Sequence, residues 1–265
     1  MDLGLTDKVA IITGGSEGIG KAAAHRMAEE GARVVIVARR PDVLEAAVQE
    51  IRKATDGAVL PVPGDVSKPE TVQQVMKTTL DNFGRVDILV NNAGVSMAKP
   101  FEEVSDADWE TDFDLKVWAA VRLIRAAIPE MRKVGGGRII NVTNLGGRTP
   151  GASSMPTSIS RAAGIAITKG LSKDLAKDNI LVTTVCIGLI KSGQHERAYA
   201  RQKATNSNLT FDEFYAQRVK ARGVPLGRFG EASEAGDVIA FLASARASYL
   251  TGVAINIDGG SSAVV

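Results

Sequence analysis

The chain has 265 residues, 45 % of them hydrophobic, and a formal charge of +2 from 32 Lys and Arg against 30 Asp and Glu. That length fits one large α/β domain over 1–265, and the interleaved charges leave no basic stripe for nucleic acid and no acidic tail. No apolar run is long enough to span a bilayer, the start Met1–Lys8 has no signal-peptide core, and the single Cys186 excludes an intrachain disulfide, so a cytoplasmic location is expected.

Short β-branched runs alternate with longer helical patterns along the chain. Val9–Thr13 reads as a strand and Gly18–Glu30 as a helix. Arg33–Ala38 and Pro41–Ala54 repeat the pair, then Ala58–Pro63 and Lys68–Phe83. Next come strand Ile88–Asn92, helix Asp106–Lys133, strand Arg138–Thr143, helix Ser158–Lys177 and strand Leu181–Ile187. Helix Glu231–Ser244 and strand Val253–Ile257 close the series. The strand candidates are apolar throughout, as strands covered on both faces must be. Strict alternation predicts a doubly wound α/β fold: a parallel sheet of about seven strands with helices on both faces. Cys186 lies inside an apolar run and reads as a small buried hydrophobe. Gly188–Arg228 departs from the rhythm, with scattered charges, His195, Tyr199 and Tyr215. An insertion there lies beyond the carboxyl ends of the strands and is expected to cover the ligand crevice as a lid.

The first strand runs into Thr13-Gly14-Gly15-Ser16-Glu17-Gly18-Ile19-Gly20 and then a helix. Glycines permit the tight turn and the approach of backbone N–H groups to a pyrophosphate, and the helix N-terminus adds its dipole. The spacing Thr-Gly-x-x-x-Gly-x-Gly resembles the short-chain dehydrogenase/reductase family, and further segments agree. Asp65-Val66 follows the third strand, and Asn91-Asn92-Ala93-Gly94 follows the fourth. Gly188, Ile190 and Ser192 follow the sixth, and Asp258-Gly259-Gly260 stands near the end. The resemblance covers nearly the whole chain. It implies a Rossmann-type fold and a nicotinamide dinucleotide held by Gly14, Ser16, Gly18, Ile19, Asp65, Val66, Asn92, Ala93, Gly94, Gly188, Ile190 and Ser192. It also implies a small-molecule substrate and a dimer or tetramer, for which the apolar helices Asp106–Lys133 and Ser158–Lys177 are the candidate interface.

Charge argues for the cofactor type. NAD binders place a carboxylate after the second strand, whereas an Arg there takes a 2′-phosphate. Here the strand ends in Ala38-Arg39-Arg40. Arg39 can pair with a phosphate bidentately, so NADP(H) is expected over NAD(H). Glu17 is the feature that runs against it.

The family's apparatus is an Asn, a Ser, a Tyr and a Lys. Aligned on the landmarks above, those positions fall on Lys116, Asn144, Thr157 and Arg161, so all four are replaced. Asn144 retains an N–H donor that can polarise a carbonyl. Arg161 retains a positive charge and can bind ribose hydroxyls, but it does not deprotonate. Thr157 cannot titrate as a Tyr does. Lys116 facing inward near Arg161 would have its pKa lowered, and would then serve as acid/base or form an imine. Alternatively it pairs with Asp112 one turn earlier or reaches solvent. His195, Tyr199, Tyr215 and Arg148 are further candidates to reach a substrate. No Cys/His or carboxylate cluster has metal-ligand spacing. Three functional readings follow: an NADP(H)-dependent oxidoreductase of a small carbonyl or alcohol, a nucleotide-binding redox sensor without turnover, and a non-redox lyase or hydrolase using Lys116.

Overall fold

Successive side chains of β1 (Val9–Thr13) and β2 (Arg33–Ala38) enter two different hydrophobic layers. Ala10, Ile12, Val34 and Ile36 join one, and Ile11, Val35 and Val37 join the other. A strand buried on both faces demands cover on both, and the helices supply it. In the computed structural model, which describes residues 2–265, the first layer is closed by α1 (Gly18–Glu29), α2 (Pro41–Thr55) and α9 (Ala232–Ala243). The second is closed by α3 (Pro69–Phe83), α5 (Ala119–Lys133) and α6 (Thr157–Asp174).

The remaining strands are β3 (Val59–Pro63), β4 (Ile88–Asn91), β5 (Gly137–Asn144), β6 (Ile180–Ile187) and β7 (Ala254–Ile257). All neighbours are parallel, in the order β3-β2-β1-β4-β5-β6-β7. The doubly wound sheet of seven strands is therefore as the alternation predicts. Strand order reverses between β1 and β4, and a crevice opens beyond their carboxyl ends at such a switch point. Among the described residues, no helix is long and apolar enough to cross a membrane.

One expectation needs correction. The helix expected over Asp106–Lys133 is not uniform: α4 (Asp106–Phe113) passes into a π turn over Asp114–Trp118 before α5 begins. Hydrophobic periodicity does not reveal one wide turn inside an otherwise amphipathic helix, and such turns recur at functional sites. The segment after β6 carries regular structure of its own, α7 (Gly193–Thr205) and α8 (Phe211–Arg222). A reciprocal capping box of Thr210 and Glu213 starts α8, and Gly223 ends it in the left-handed region. Tyr215 of α8 packs against the rings of Phe211, Phe214 and Phe229.

Candidate active site

The turn after β1 is built for close backbone approach. Gly14 has φ of +66°, and a Cβ there would stand 2.9 Å from Asn92 Nδ2. A Cβ on Gly20 would overlap Gly14 O and Asn92 Nδ2. Ser16, Gly18 and Ile19 lie on this turn, half-buried. The residue capping α1 is Glu17, whose side chain makes no capping hydrogen bond, so the first N–H groups of the helix remain for an anion. Asn92 fastens the two sides of the switch point together. Its Nδ2 donates to Thr13 O at 2.9 Å and Gly14 O at 3.1 Å, while Thr13 Oγ1 accepts from Asn92 N and Ala93 N, both at 3.0 Å. Asp65 accepts from Ser67 N at 3.0 Å, and Val66 beside it is buried.

Charge at the end of β2 is arranged around Glu17. Its Oε2 lies 2.7 Å from Arg40 Nη2 and 3.6 Å from Arg197 Nη1 on α7. Arg39 is exposed and holds no ion pair among the described residues. The carboxylate that runs against a phosphate is thus neutralised by two neighbours, and one guanidinium stays available. The start of α7 spans the crevice. Ser192 caps the helix and its Cβ lies 3.5 Å from where a Gly18 Cβ would be. Gln194 donates to Gly94 O at 3.3 Å and accepts from Ser96 N at 3.4 Å. Gly188 packs on Asp258, and Ile190 is buried and bridged to Gly230. Nothing in the sequence pattern singled out Gln194, because its two contacts lie about a hundred residues away in the chain.

Past β4 and β5 a polar cluster lies in the wall between the π turn and α6. Lys116 is on the π turn, its side chain 1 % exposed, and it is ion-paired with the fully buried Asp112 of α4. Lys116 Nζ also donates to Thr157 Oγ1 at 3.2 Å. Ser160 Oγ donates to Asp112 Oδ2 at 2.5 Å and lies 3.0 Å from Thr157 O. Met97 N donates to Thr157 Oγ1 at 2.9 Å. Burial and the neighbouring Arg161 lower the Lys116 pKa to about 8, against the opposing pull of Asp112. Burial likewise lowers Arg161 to about 10, so its guanidinium stays charged at neutral pH.

Arg161 donates to Val142 O at 2.8 Å and packs on Gly94, where a Cβ would stand 2.5 Å from its Nη2. Beneath it is a cavity of about 20 Å³, lined among others by Asn91, Lys116, Asn141, Thr143 and Arg161. Asn91 Oδ1, Arg161 Nε and Asn144 Oδ1 are buried atoms with no partner among the described residues. The structure therefore brings Lys116, Thr157 and Arg161 into one cluster, with Asn144 at the end of β5 nearby. Of the Lys116 alternatives, the pair with Asp112 forms and the route to solvent does not. Ser160 was not a candidate from sequence, since a Ser in an apolar helix usually serves its own backbone.

The other candidates are engaged elsewhere. Arg148 turns away, donating to Asn256 Oδ1 at 3.0 Å and to the carbonyl of Val265. Tyr199 donates to Leu209 O at 3.2 Å. His195 stacks edge-on against Phe229 at 5.0 Å, and burial together with Arg218 and Arg222 lowers its pKa to about 4. Tyr215 is wedged between Phe211 and Phe229, and burial raises its phenol.

A parallel doubly wound sheet, a glycine turn opening onto a helix N-terminus and a crevice at the switch point define a dinucleotide-binding α/β protein. The family model for short chain dehydrogenases matches residues 8–203. The chain belongs to that family. It is 37 % identical over 260 residues to an uncharacterized oxidoreductase of Thermotoga maritima, covering 97 % of this chain and 98 % of that protein. It is also similar to the crystal structure of L-sorbose reductase from Gluconobacter frateurii complexed with NADPH and L-sorbose. There the TM-score is 0.95, with 36 % identity and full cover of both chains. An NADPH-bound short chain oxidoreductase of Pseudomonas aeruginosa, described as containing an atypical catalytic center, matches at TM-score 0.90 and 31 % identity, with 98 % of each chain covered.

Proposed function

We propose that the protein is an NADP(H)-dependent oxidoreductase of a small carbonyl or alcohol, in which Lys116 and Thr157 handle the proton. One observation carries the reading. Thr157 is 4 % exposed, and its oxygen accepts from both Met97 N and Lys116 Nζ. A hydroxyl has two acceptor lone pairs and one proton, so the Thr157 proton is left for a group outside the chain. On the family's pattern, Lys116, Asn144, Thr157 and Arg161 stand where an Asn, a Ser, a Tyr and a Lys are expected.

The residues of the crevice fit the dinucleotide. The glycine turn and the uncapped start of α1 suit the pyrophosphate, and Arg39 suits a 2′-phosphate. The bound nicotinamide supplies or accepts a hydride at the substrate carbon. In the reducing direction the carbonyl oxygen gathers charge and takes the Thr157 proton, and Thr157 is refilled from the Lys116 ammonium. The Asn144 amide would donate to the same oxygen, and the Arg161 guanidinium would stand behind the ribose of a bound dinucleotide as a fixed positive charge. The segment from Gly188 to Arg228 acts as the lid over this site. The likeness to a ketose reductase supports ketoses and polyols as first substrates to try.

A second reading, a nucleotide sensor without turnover, is favoured by the burial of Thr157 under Met97. The imine reading is disfavoured by geometry. It needs a neutral amine open to substrate, whereas Lys116 is sealed and paired with Asp112. Fluorescence titrations with NADPH and NADH, followed by a panel of ketoses, aldehydes and polyols, decide among them. Turnover with NADPH that falls to background in Lys116→Met supports the oxidoreductase. Tight NADPH binding with no panel member reduced leaves only the sensor. The exposed Trp118 keeps the segment Asp106–Lys133 as a face on which we expect a homo-oligomer to form; a monomer by light scattering at micromolar concentration overturns that.

A further inference from the structure

Two cations share one buried wall with a single carboxylate. Lys116 Nζ and the Arg161 guanidinium both face the interior behind the crevice, and among the described residues the only acidic group bearing on Lys116 is Asp112. Asp112 is completely buried. Its two oxygens are divided: Oδ1 takes the Lys116 ammonium, and Oδ2 takes the Ser160 hydroxyl at 2.5 Å. Asp114, on the same π turn as Lys116, is directed instead to Arg122 of α5 at 3.6 Å. From α6 the groups facing Lys116 are Thr157, Ser160 and Arg161, and only Arg161 is charged.

We infer that Asp112, held by Ser160, is a positioning residue that keeps the Lys116 ammonium in place beside Arg161 and aims it at the Thr157 hydroxyl. This deepens the proposed proton route and rests on it for its use in turnover, but the arrangement itself is a property of this chain alone. The physical need is plain. A buried cation beside a second buried cation loses its proton unless a carboxylate compensates. A neutral Lys116 would have no proton to pass to Thr157 in the reducing direction. Ser160 matters because a carboxylate with one free oxygen can rotate. With Oδ2 tied to α6, Oδ1 is fixed against the π turn, and Lys116 has one remaining polar neighbour within reach, Thr157 Oγ1 at 3.2 Å. The wide turn brings α4 and Lys116 onto α6 together, so the three side chains meet across two helices.

The test uses the full chain without cofactor as well as the working enzyme. In protein labelled with [15N]lysine, the Lys116 amine is assigned by its loss in Lys116→Met and titrated by NMR. The wild-type midpoint is expected near 8. Asp112→Asn is expected to lower it by about one pH unit or more, a tenfold or larger change in acid constant, and Ser160→Ala to lower it in the same direction by less. Asp112→Glu, which keeps the charge, is expected to restore most of the shift. NADPH titration of each variant reports whether the fold survives. Should Asp112→Asn fail to fold, Ser160→Ala and Asp112→Glu carry the comparison.

In turnover, the rate falls as pH rises through the Lys116 midpoint. Ser160→Ala is expected to move that alkaline fall to lower pH and to reduce kcat several-fold with KM unchanged. A midpoint unmoved in Ser160→Ala, and in Asp112→Asn if it folds, overturns the inference. Absence of any turnover in the wild type would overturn the proposed function instead, and the NMR titration would still decide the role of Asp112.

Discussion

Arg40 Nη2 stands 2.7 Å from Glu17 Oε2, so the carboxylate at the mouth of the glycine turn is engaged before any dinucleotide arrives. Arg197 of α7 adds a second positive charge at 3.6 Å. All three side chains are substantially exposed, so the cluster contributes little to stability. Its effect is on what the neighbouring Arg39 can bind.

Arg39→Ala is expected to weaken NADPH binding by about 10- to 100-fold, the range for losing a charge-assisted hydrogen-bonded contact, and to leave NADH within about twofold. Parallel fluorescence titrations measure both. Equal losses for the two nucleotides would remove Arg39 from the 2′-phosphate site. Glu17→Gln is expected to leave NADPH binding unchanged or tighter, because it deletes a negative charge and frees Arg40.

Thr157→Val keeps the shape of the side chain and removes its oxygen. Met97 N and one Lys116 N–H then lose their acceptor inside a buried site. A loss of about 1–3 kcal/mol in urea unfolding is expected, together with a large fall in kcat. Thr157→Ser retains the oxygen and is expected to stay close to wild type in both. A fully active Thr157→Val would remove the hydroxyl from the proton route.

His195 gives α7 an acid-sensitive contact. Burial against Phe229, with Arg218 and Arg222 near, lowers its pKa to about 4 from an ordinary value of 6.5. Between those values the unfolded chain binds a proton that the folded one does not, so this contribution to stability falls as pH drops through the window. The thermal midpoint of wild type is expected to decline from pH 6.5 to 4 more steeply than that of His195→Phe. Identical slopes would show that the ring is not held neutral by the fold.

Gly20→Ala is expected to abolish dinucleotide binding and to lower stability by about 1–3 kcal/mol, because the added methyl overlaps Gly14 O and Asn92 Nδ2 and the nearest atom is backbone. Equilibrium unfolding and an NADPH titration check the two effects separately. Normal binding with normal stability would mean the turn can relax.

The parallel winding was legible in the sequence, because a central strand covered on both faces has to be apolar at successive positions, as Ile11 and Ile12 are; the edge strands β3 and β7, only partly buried, were legible from the alternation with helices. The glycine turn was legible because only Gly fits Gly14 and Gly20. The Asp112–Lys116 pair was foreseen as one outcome for that lysine, since it spans a single turn. What stayed hidden depends on helices meeting in space. Ser160 reaches Asp112 across 48 positions of chain, and Met97 reaches Thr157 across 60. No local pattern encodes such a crossing. Arg148 lay beside Asn144 in sequence, yet its guanidinium serves the chain's final residues instead. The direction of a long side chain is set by partners that sequence proximity does not name.

The π turn over Asp114–Trp118 also sets the phase of everything that follows it. Deleting one residue there, to make the helix regular, would rotate α5 by about 100° relative to α4. Leu123, Ile124, Ala127 and Met131 now fill the second hydrophobic layer, and the shortened helix would swing them off the sheet. The extra residue works like a spacer in a gear train: removing it would disengage a core that runs on to Met131 while Asp112 stayed where it is.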